Sequence, residues 1–193
     1  LGQPGYRTGV YTSPHLVRFE ERLRLLGEAV VATNLIAAFA DVERARCQFE
    51  PPISLTYFEF STLAILQVMA RSNLDAVILE VGLGGRLDAT NIIDPDCAVI
   101  TSIDLDHMEL LGPDRESIGR EKAGIMKRGV ACISARQVDE VGDVLDREAA
   151  AQGITLKMLG RDFDAFAQRG RLVYQDETRL IDLPLPALIG PHQ

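Results

Sequence analysis

Short continuous apolar runs alternate along the chain with longer segments whose apolar residues recur at helical spacing. Val10 to Thr12, just after Gly9, is a short strand. Residues 13 to 32 hold Pro14, the charge cluster Arg18, Glu20, Glu21, Arg22 and Arg24, and Gly27, so a loop with short extended pieces is expected. Thr33 is expected to cap a helix running to about Phe49, with Leu35, Ile36, Phe39, Ala40 and Val42 on one side and Pro51-Pro52 ending it. Thr56-Tyr57-Phe58-Glu59 has capping-box spacing and opens a second helix to about Ser72, carrying Phe60, Leu63, Ala64, Leu66 and Val68, with Asn73 as its stop. Ala76 to Leu79 and Ala98 to Thr101 are continuous apolar runs, as parallel strands buried on both faces should be. A helix is expected over 117–127, with Ile118, Ile125 and Met126 inward and Gly129 as its stop. A strand over 130–134, a helix over 138–151 and a strand over 154–159 follow.

The βαβα alternation predicts an α/β fold, a doubly wound, mostly parallel sheet flanked by helices. After Gly160 the texture changes. Residues 163–167, 171–175 and 179–183 are short apolar pieces separated by turn candidates at Gln168-Arg169-Gly170 and Asp176-Glu177, which predicts a small antiparallel meander. The expected organisation is therefore one α/β domain over 1–160 with a β appendage over 161–193.

Composition narrows the function classes. A chain of 193 residues can bury a substantial core, and 47% hydrophobic with 25% charged residues is ordinary for a soluble fold. A net charge of −8 disfavours nucleic acid or an anionic membrane as the main partner, since both require a basic face. It leaves anionic substrates possible in a locally positive or metal-filled pocket. Cys47, Cys97 and Cys132 are odd in number, widely spaced and without a CxxC pair, so no disulfide framework or zinc site is indicated and a reducing cytoplasm fits. No apolar run is long enough for a membrane span and no signal-peptide pattern opens the chain. The opening Leu1 to Tyr6 reads like the end of a helix and Leu188 to Gln193 stops mid-phrase, so part of something longer is expected.

In open α/β sheets ligands bind beyond the carboxyl ends of the strands. Three predicted strands deliver oxygen or imidazole groups there: Thr12-Ser13-Pro14-His15 after the first, Glu80 and the glycine loop Gly82-Leu83-Gly84-Gly85 after the second, and Asp104-Leu105-Asp106-His107 after the third. A carboxylate, a hydroxyl and an imidazole suit a hard divalent cation beside phosphate. The alternative for Glu80 is an ion pair with Arg86 or simple solvation. The glycine loop is either a close-approach cradle or a plain tight turn. It is neither a dinucleotide fingerprint, because Leu87 stands where the last glycine belongs, nor a Walker A loop, because no GK[ST] follows. His107 is read as either a ligand or a surface residue, His15 as structural, and Lys122, on sequence alone, as a solvated helix lysine.

Four phrases occur together and in order: Thr12-Ser13-Pro14-His15-Leu16-Val17-Arg18-Phe19, Leu55-Thr56-Tyr57-Phe58-Glu59-Phe60, Ile78 to Asn91, and Gly119-Arg120-Glu121-Lys122-Ala123-Gly124-Ile125. With them the chain resembles the bifunctional dihydrofolate synthase/folylpolyglutamate synthase family of the Mur ligase superfamily over essentially its whole length. The resemblance implies a Mur ligase central domain and an ATP-dependent amide ligase. A substrate carboxylate would take the γ-phosphoryl group as an acyl phosphate, and the amine of L-glutamate would displace phosphate. Dihydropteroate would give dihydrofolate, and tetrahydrofolate would gain a γ-linked glutamate. By resemblance Ser13, Glu80 and His107 are Mg²⁺ ligands, Lys122 is a carbamylated lysine, and Lys122, Glu80 and His107 form the catalytic set. Thr56, Tyr57, Phe58 and Glu59 with Leu87, Asp88 and Ala89 are the pteroate-binding segments.

The resemblance further implies a cytoplasmic enzyme, monomeric at full length, with no nucleic-acid or membrane partner. The family's P-loop is expected upstream of Leu1 and its C-terminal domain beyond Gln193, so these residues alone are expected not to turn over ATP. Phe19-Glu20-Glu21-Arg22 departs from the family's Phe-Asn-Glu-Arg at its second residue. A folylpolyglutamate synthase without dihydropteroate activity, another Mur-type ligase, a non-catalytic folate-binding module and a plain nucleotide-binding protein, the last disfavoured by the incomplete GxGxxG, are the competing readings.

Overall fold

The structure is a computed structural model in which residues 5–185 are described. Leu1 to Pro4 and Leu188 to Gln193, on which the expectations about the chain ends rest, lie outside the described residues. The chain divides into two compact units, Leu1–Ile93 and Asp94–Gln193.

In the first unit a mixed sheet has the order β3-β2-β1-β4. Its strands are β1 (Thr8–Tyr11), β2 (Leu23–Leu25), β3 (Glu28–Ala29) and β4 (Ala76–Leu79). β1 runs antiparallel to β2 and parallel to β4, with Tyr11 opposite Leu79. Helices α1 (Ala32–Arg46) and α2 (Tyr57–Arg71) supply most of the remaining core. Tyr11, Leu23, Leu35, Ala38, Val42, Ala64, Ile65 and Met69 form one buried cluster. Burying each of the leucine, isoleucine, valine and methionine side chains among them contributes about 1.5–3 kcal/mol. A Tyr11–Thr62 hydroxyl pair (2.9 Å) satisfies the one polar tip at its centre, and burial raises the Tyr11 phenol above its usual range.

The capping box of α2 is formed as its spacing predicts. The Glu59 N–H donates to Thr56 Oγ1 (3.2 Å), and the Thr56 N–H donates back to Glu59 Oε2 (2.7 Å). The start of α1 differs from the expectation. Val31, with extended backbone and no side-chain cap, precedes the helix, so Thr33 lies inside its first turn. The buried face of α1 is Leu35, Ala38 and Val42, with Phe39 half-buried, while Ile36 and Ala40 are exposed. The helical stripe turned out narrower and rotated because α1 packs on one neighbour, α2, rather than on a broad sheet face. β4 is not buried on both faces either: Val77 and Ile78 are each 48% exposed, because β1 is its sole strand neighbour among the described residues.

In the second unit β5 (Cys97–Ile100), β6 (Ala131–Ser134) and β7 (Leu156–Met158) form a parallel sheet in that order. A short helix α3 (Met108–Leu111), which the sequence pattern did not suggest, precedes α4 (Arg115–Ala123) and α5 (Asp139–Gln152). Ile118, Cys132, Val141 and Leu145 are fully buried at the centre of its core. α4 begins earlier than expected because the Asp114 carboxylate accepts the Ser117 N–H (2.7 Å). It also ends earlier, at Gly124, so Ile125 and Met126 pack from the turn beyond it, and Gly129 (φ +79°) opens the turn into β6.

The meander is present as β8 (Phe163–Gln168), β9 (Arg171–Asp176) and β10 (Leu180–Pro184), antiparallel in the order β10-β9-β8. Arg169 and Gly170, both at positive φ, make the first turn. The Asp176 carboxylate makes the second by accepting the Thr178 and Arg179 amides (2.8 Å each). An α/β fold with a parallel sheet, flanking helices and a C-terminal antiparallel sheet is thus observed. The change of texture after Gly160 is one of secondary structure, whereas the division into compact units falls at Ile93 and Asp94. The three cysteines are free thiols, Cys132 buried and the others exposed. Among the described residues no helix is long and apolar enough to cross a membrane.

Candidate active site

The parallel register of β1 and β4 brings their carboxyl ends level, and the Glu80 N–H extends the ladder by donating to the Tyr11 carbonyl (3.0 Å). Two residues past β1 the Ser13 N–H donates to Glu80 Oε2 (2.9 Å). Two residues proposed from sequence as metal ligands are therefore adjacent, held by backbone rather than by chance side-chain contact. Glu80 is exposed, not entering a buried environment, and forms no ion pair among the described residues. Its Oε1 and the Ser13 hydroxyl have no protein hydrogen bond there, which suits a hard cation that takes few protein ligands and completes its shell with water and phosphate oxygens. Among the described residues no group of three His, Cys, Asp or Glu side chains could hold a metal by itself.

The glycine loop after β4 is built around one carboxylate. Asp88 Oδ2 accepts the Gly82 and Leu83 amides (3.0 and 3.1 Å), while Oδ1 accepts the Thr90 amide and hydroxyl (2.8 and 2.6 Å). Asp88 therefore organises the loop, leaving Leu87 beside it 79% exposed. Gly84 has φ +67°, which glycine adopts at little cost. At Gly82 a Cβ would lie 2.5 Å from the Phe58 ring, so that ring rests directly on the loop backbone. The start of α2 and the glycine loop, the two segments that the resemblance alone offers for pteroate binding, are thereby joined through Phe58. Tyr57 stands exposed at the same helix start. Thr56, Tyr57 and Phe60 also line an open depression of about 310 Å³ with Glu43, Arg46, Ser54 and Leu55. Glu59, bonded to the Thr56 amide, is held below the usual carboxylate range.

The segment from Thr12 to Arg22 is more ordered than a loop rich in charge suggests. Glu21 accepts the amides of Leu16 (2.8 Å), Val17 (3.1 Å) and Arg18 (2.7 Å), which lowers its pKa. Arg22 is buried, and its Nε–H donates to His15 Nδ1 (2.8 Å).

In the second unit the segment after β5 carries His107 in left-handed backbone (φ +48°, ψ +41°), immediately before α3. A non-glycine residue there is uncommon and costs energy, and such strain clusters at functional positions. The imidazole is half exposed, 3.6 Å from Asp106 and 4.0 Å from Glu109. Asp104 bonds the Leu105 amide and Arg115, and both hold its carboxyl below the usual range. Gln137 clamps the segment, donating to the Thr101 carbonyl (2.8 Å) and accepting the Ile103 amide (3.0 Å). Lys122, in the last turn of α4, is half-buried, and its side-chain ammonium has no hydrogen bond or ion pair among the described residues. Sequence reasoning missed Glu21, Arg22 and Gln137. The one available signal was a dense charge cluster at 18–24 in a segment otherwise expected to be irregular.

The Mur ligase middle domain family matches residues 52–183. The chain is 46% identical over 97% of its length to the dihydrofolate synthase/folylpolyglutamate synthase of Escherichia coli (strain K12), covering 43% of that protein. Its backbone superposes on E. coli FolC in complex with DHPP and ADP with a TM-score of 0.88 at 46% identity, covering 97% of this chain and 44% of that one. It also superposes on a bifunctional folylpolyglutamate synthase/dihydrofolate synthase with Mn, AMPPNP and L-glutamate bound, with a TM-score of 0.82 at 46% identity, covering 94% and 43% of the two chains. The chain thus spans less than half the length of these relatives. With residues 52–183, well over half of the chain, matched by its model, the chain belongs to the Mur ligase middle domain family.

Proposed function

We propose that the chain is the central part of a dihydrofolate synthase/folylpolyglutamate synthase. In this reading the whole protein is an ATP-dependent ligase that joins L-glutamate to dihydropteroate and to tetrahydrofolate tails through an acyl phosphate. It works as a monomer in a reducing cytoplasm, where free thiols persist. The observation that carries the reading is the junction in the first unit. Ser13 and Glu80 meet at adjacent parallel strand ends, and Phe58 packs on the glycine loop that follows Glu80. One side of that arrangement fits a phosphate-bound cation and the other a flat aromatic ring.

Each residue then has a task. Glu80 and Ser13 would hold a divalent cation, which when bound neutralises phosphate charge and aligns the transferred group, and His107 is proposed as a metal ligand by resemblance alone. Phe58 and Tyr57 offer ring faces to the pterin and aminobenzoate groups. Asp88 keeps the glycine-loop amides fixed, and Leu87 and Ala89 beside it complete the pteroate segment. Lys122, as its carbamate, would supply a negative charge suited to a cation. The acidic surface is no obstacle, since the positive charge arrives with the metal.

The test is phosphate release by the full-length protein, which should require ATP, L-glutamate and dihydropteroate together. Release independent of glutamate would overturn the ligase reading. Comparing dihydropteroate with tetrahydrofolate as acceptor separates the bifunctional enzyme from a folylpolyglutamate synthase alone.

A further inference from the structure

Arg22 is a buried charge (7% exposed) with no carboxylate in ion-pair range among the described residues. Burying a guanidinium is expensive unless something compensates, and an apolar side chain of similar size would pack there at lower cost. Its compensation is unusual. The guanidinium carbon lies 5.7 Å from the ring centroids of both Phe19 and Tyr57, within cation–π range. Its Nε–H donates to His15 Nδ1 (2.8 Å). Its own carbonyl accepts the Thr12 amide (3.0 Å), so one residue fastens both ends of Thr12-Ser13-Pro14-His15.

The hydrogen bond has a chemical consequence. An imidazole nitrogen that accepts from a guanidinium has its lone pair in that bond, so the ring proton sits on Nε2. Arg22 has no acceptor capacity and cannot support the opposite tautomer. His15 is half-buried, and its Nε2 has no protein partner among the described residues. It is thus a donor of fixed orientation and fixed tautomer, two residues from Ser13 at the carboxyl end of β1. We propose that Arg22 is a positioning residue that holds His15 as an Nε2–H donor toward an oxyanion of the bound substrates, either a phosphoryl or a carboxylate oxygen. Through Tyr57 the same guanidinium ties this donor to the aromatic segment at the start of α2. The assignment rests on the ligase reading above.

The experiment uses the full-length protein with ¹⁵N-labelled histidine. Long-range ¹H–¹⁵N spectra, with His15→Asn identifying the resonance, should show the Nε2–H tautomer. Arg22→Met should give a tautomer mixture, and Arg22→Lys should restore the single form in part. Adding AMPPNP, Mg²⁺ and dihydropteroate should move the Nε2 signal. In turnover, His15→Asn keeps an acceptor for Arg22 but loses the outer donor. It should lower kcat at least about tenfold, as loss of one oxyanion donor does, with the melting temperature unchanged. His15→Gln, which keeps a distal N–H, should retain more activity. Arg22→Met with His15→Asn should be no worse than His15→Asn alone, since the arginine acts through the histidine.

An Nδ1–H tautomer in the wild type, an Nε2 signal indifferent to ligands, a kcat within about twofold for His15→Asn, or additive losses in the double variant would each overturn the proposal. If the wild type releases no phosphate the ligase reading fails, and the spectra still decide the tautomer and the donor.

Discussion

The two units present their functional loops in opposite ways. In the first, the segments after β1 and β4 are held by carboxylates that reach several residues to collect backbone amides: Glu21 takes three and Asp88 takes two besides the Thr90 pair. In the second, Asp104 and Asp106 each collect a single backbone amide, that of the next residue (2.8 Å each), and His107 is held in a left-handed conformation. The first is a cradle whose collected amides are satisfied within the protein. The second keeps its acids and its imidazole at the surface and stores strain instead. Damage to the cradle should therefore cost stability and substrate affinity, whereas changes in the second loop should cost turnover and little else.

Breaking that contrast begins with Lys122. Lys122→Ala in the full-length protein should lower kcat about a hundredfold or more, the scale of a lost catalytic group, while the melting temperature stays constant. Partial rescue by a short carboxylic acid would identify the missing charge as anionic, and unchanged activity would remove the carbamate assignment. Asp88→Ala should do the reverse. It strips four hydrogen bonds from one loop, so a loss of about 2–3 kcal/mol in urea unfolding is expected, together with a higher KM for dihydropteroate.

His107→Gly sharpens the contrast most directly. Relieving the left-handed backbone should stabilise the second unit by about 1 kcal/mol while turnover falls, a stability gain that costs function. No gain in the melt would mean that the strain is absent.

The smallest effect is chemical. Burial pushes the Cys132 thiol up to about 11, with Cys97 adding a little, so at pH 8 it carries almost no thiolate and should stay silent to a thiol reagent. Cys97 should react first. Cys47 is expected to be slower because its hydrogen bond to Glu43 raises its pKa. Reaction of Cys132 in the native state would show that the second core opens.

Patterns that depend on neighbours in sequence were legible. The capping box at Thr56 and Glu59, the apolar β-runs and the meander turns each arise from contacts within a few residues, which spacing records faithfully. The stripe of α1 and the exposure of β4 were not, because both depend on which partner each element meets. Within the candidate site, residue identities at the strand ends were legible, whereas the holders of the loops, Glu21, Arg22 and Gln137, were not. A long polar side chain can reach several backbone groups, and sequence does not say which.

The sequence by itself determined the α/β alternation, the strand ends that carry Ser13, Glu80 and His107, and the four ordered phrases that point to a ligase. Tertiary structure decided that the Ser13 amide binds Glu80, that Phe58 rests on Gly82, and that the guanidinium of a buried arginine donates to His15 Nδ1. Those three contacts span 67, 24 and 7 residues of chain. Each exists because parallel register, close packing and the cost of burying a charge select one arrangement among many that local spacing permits.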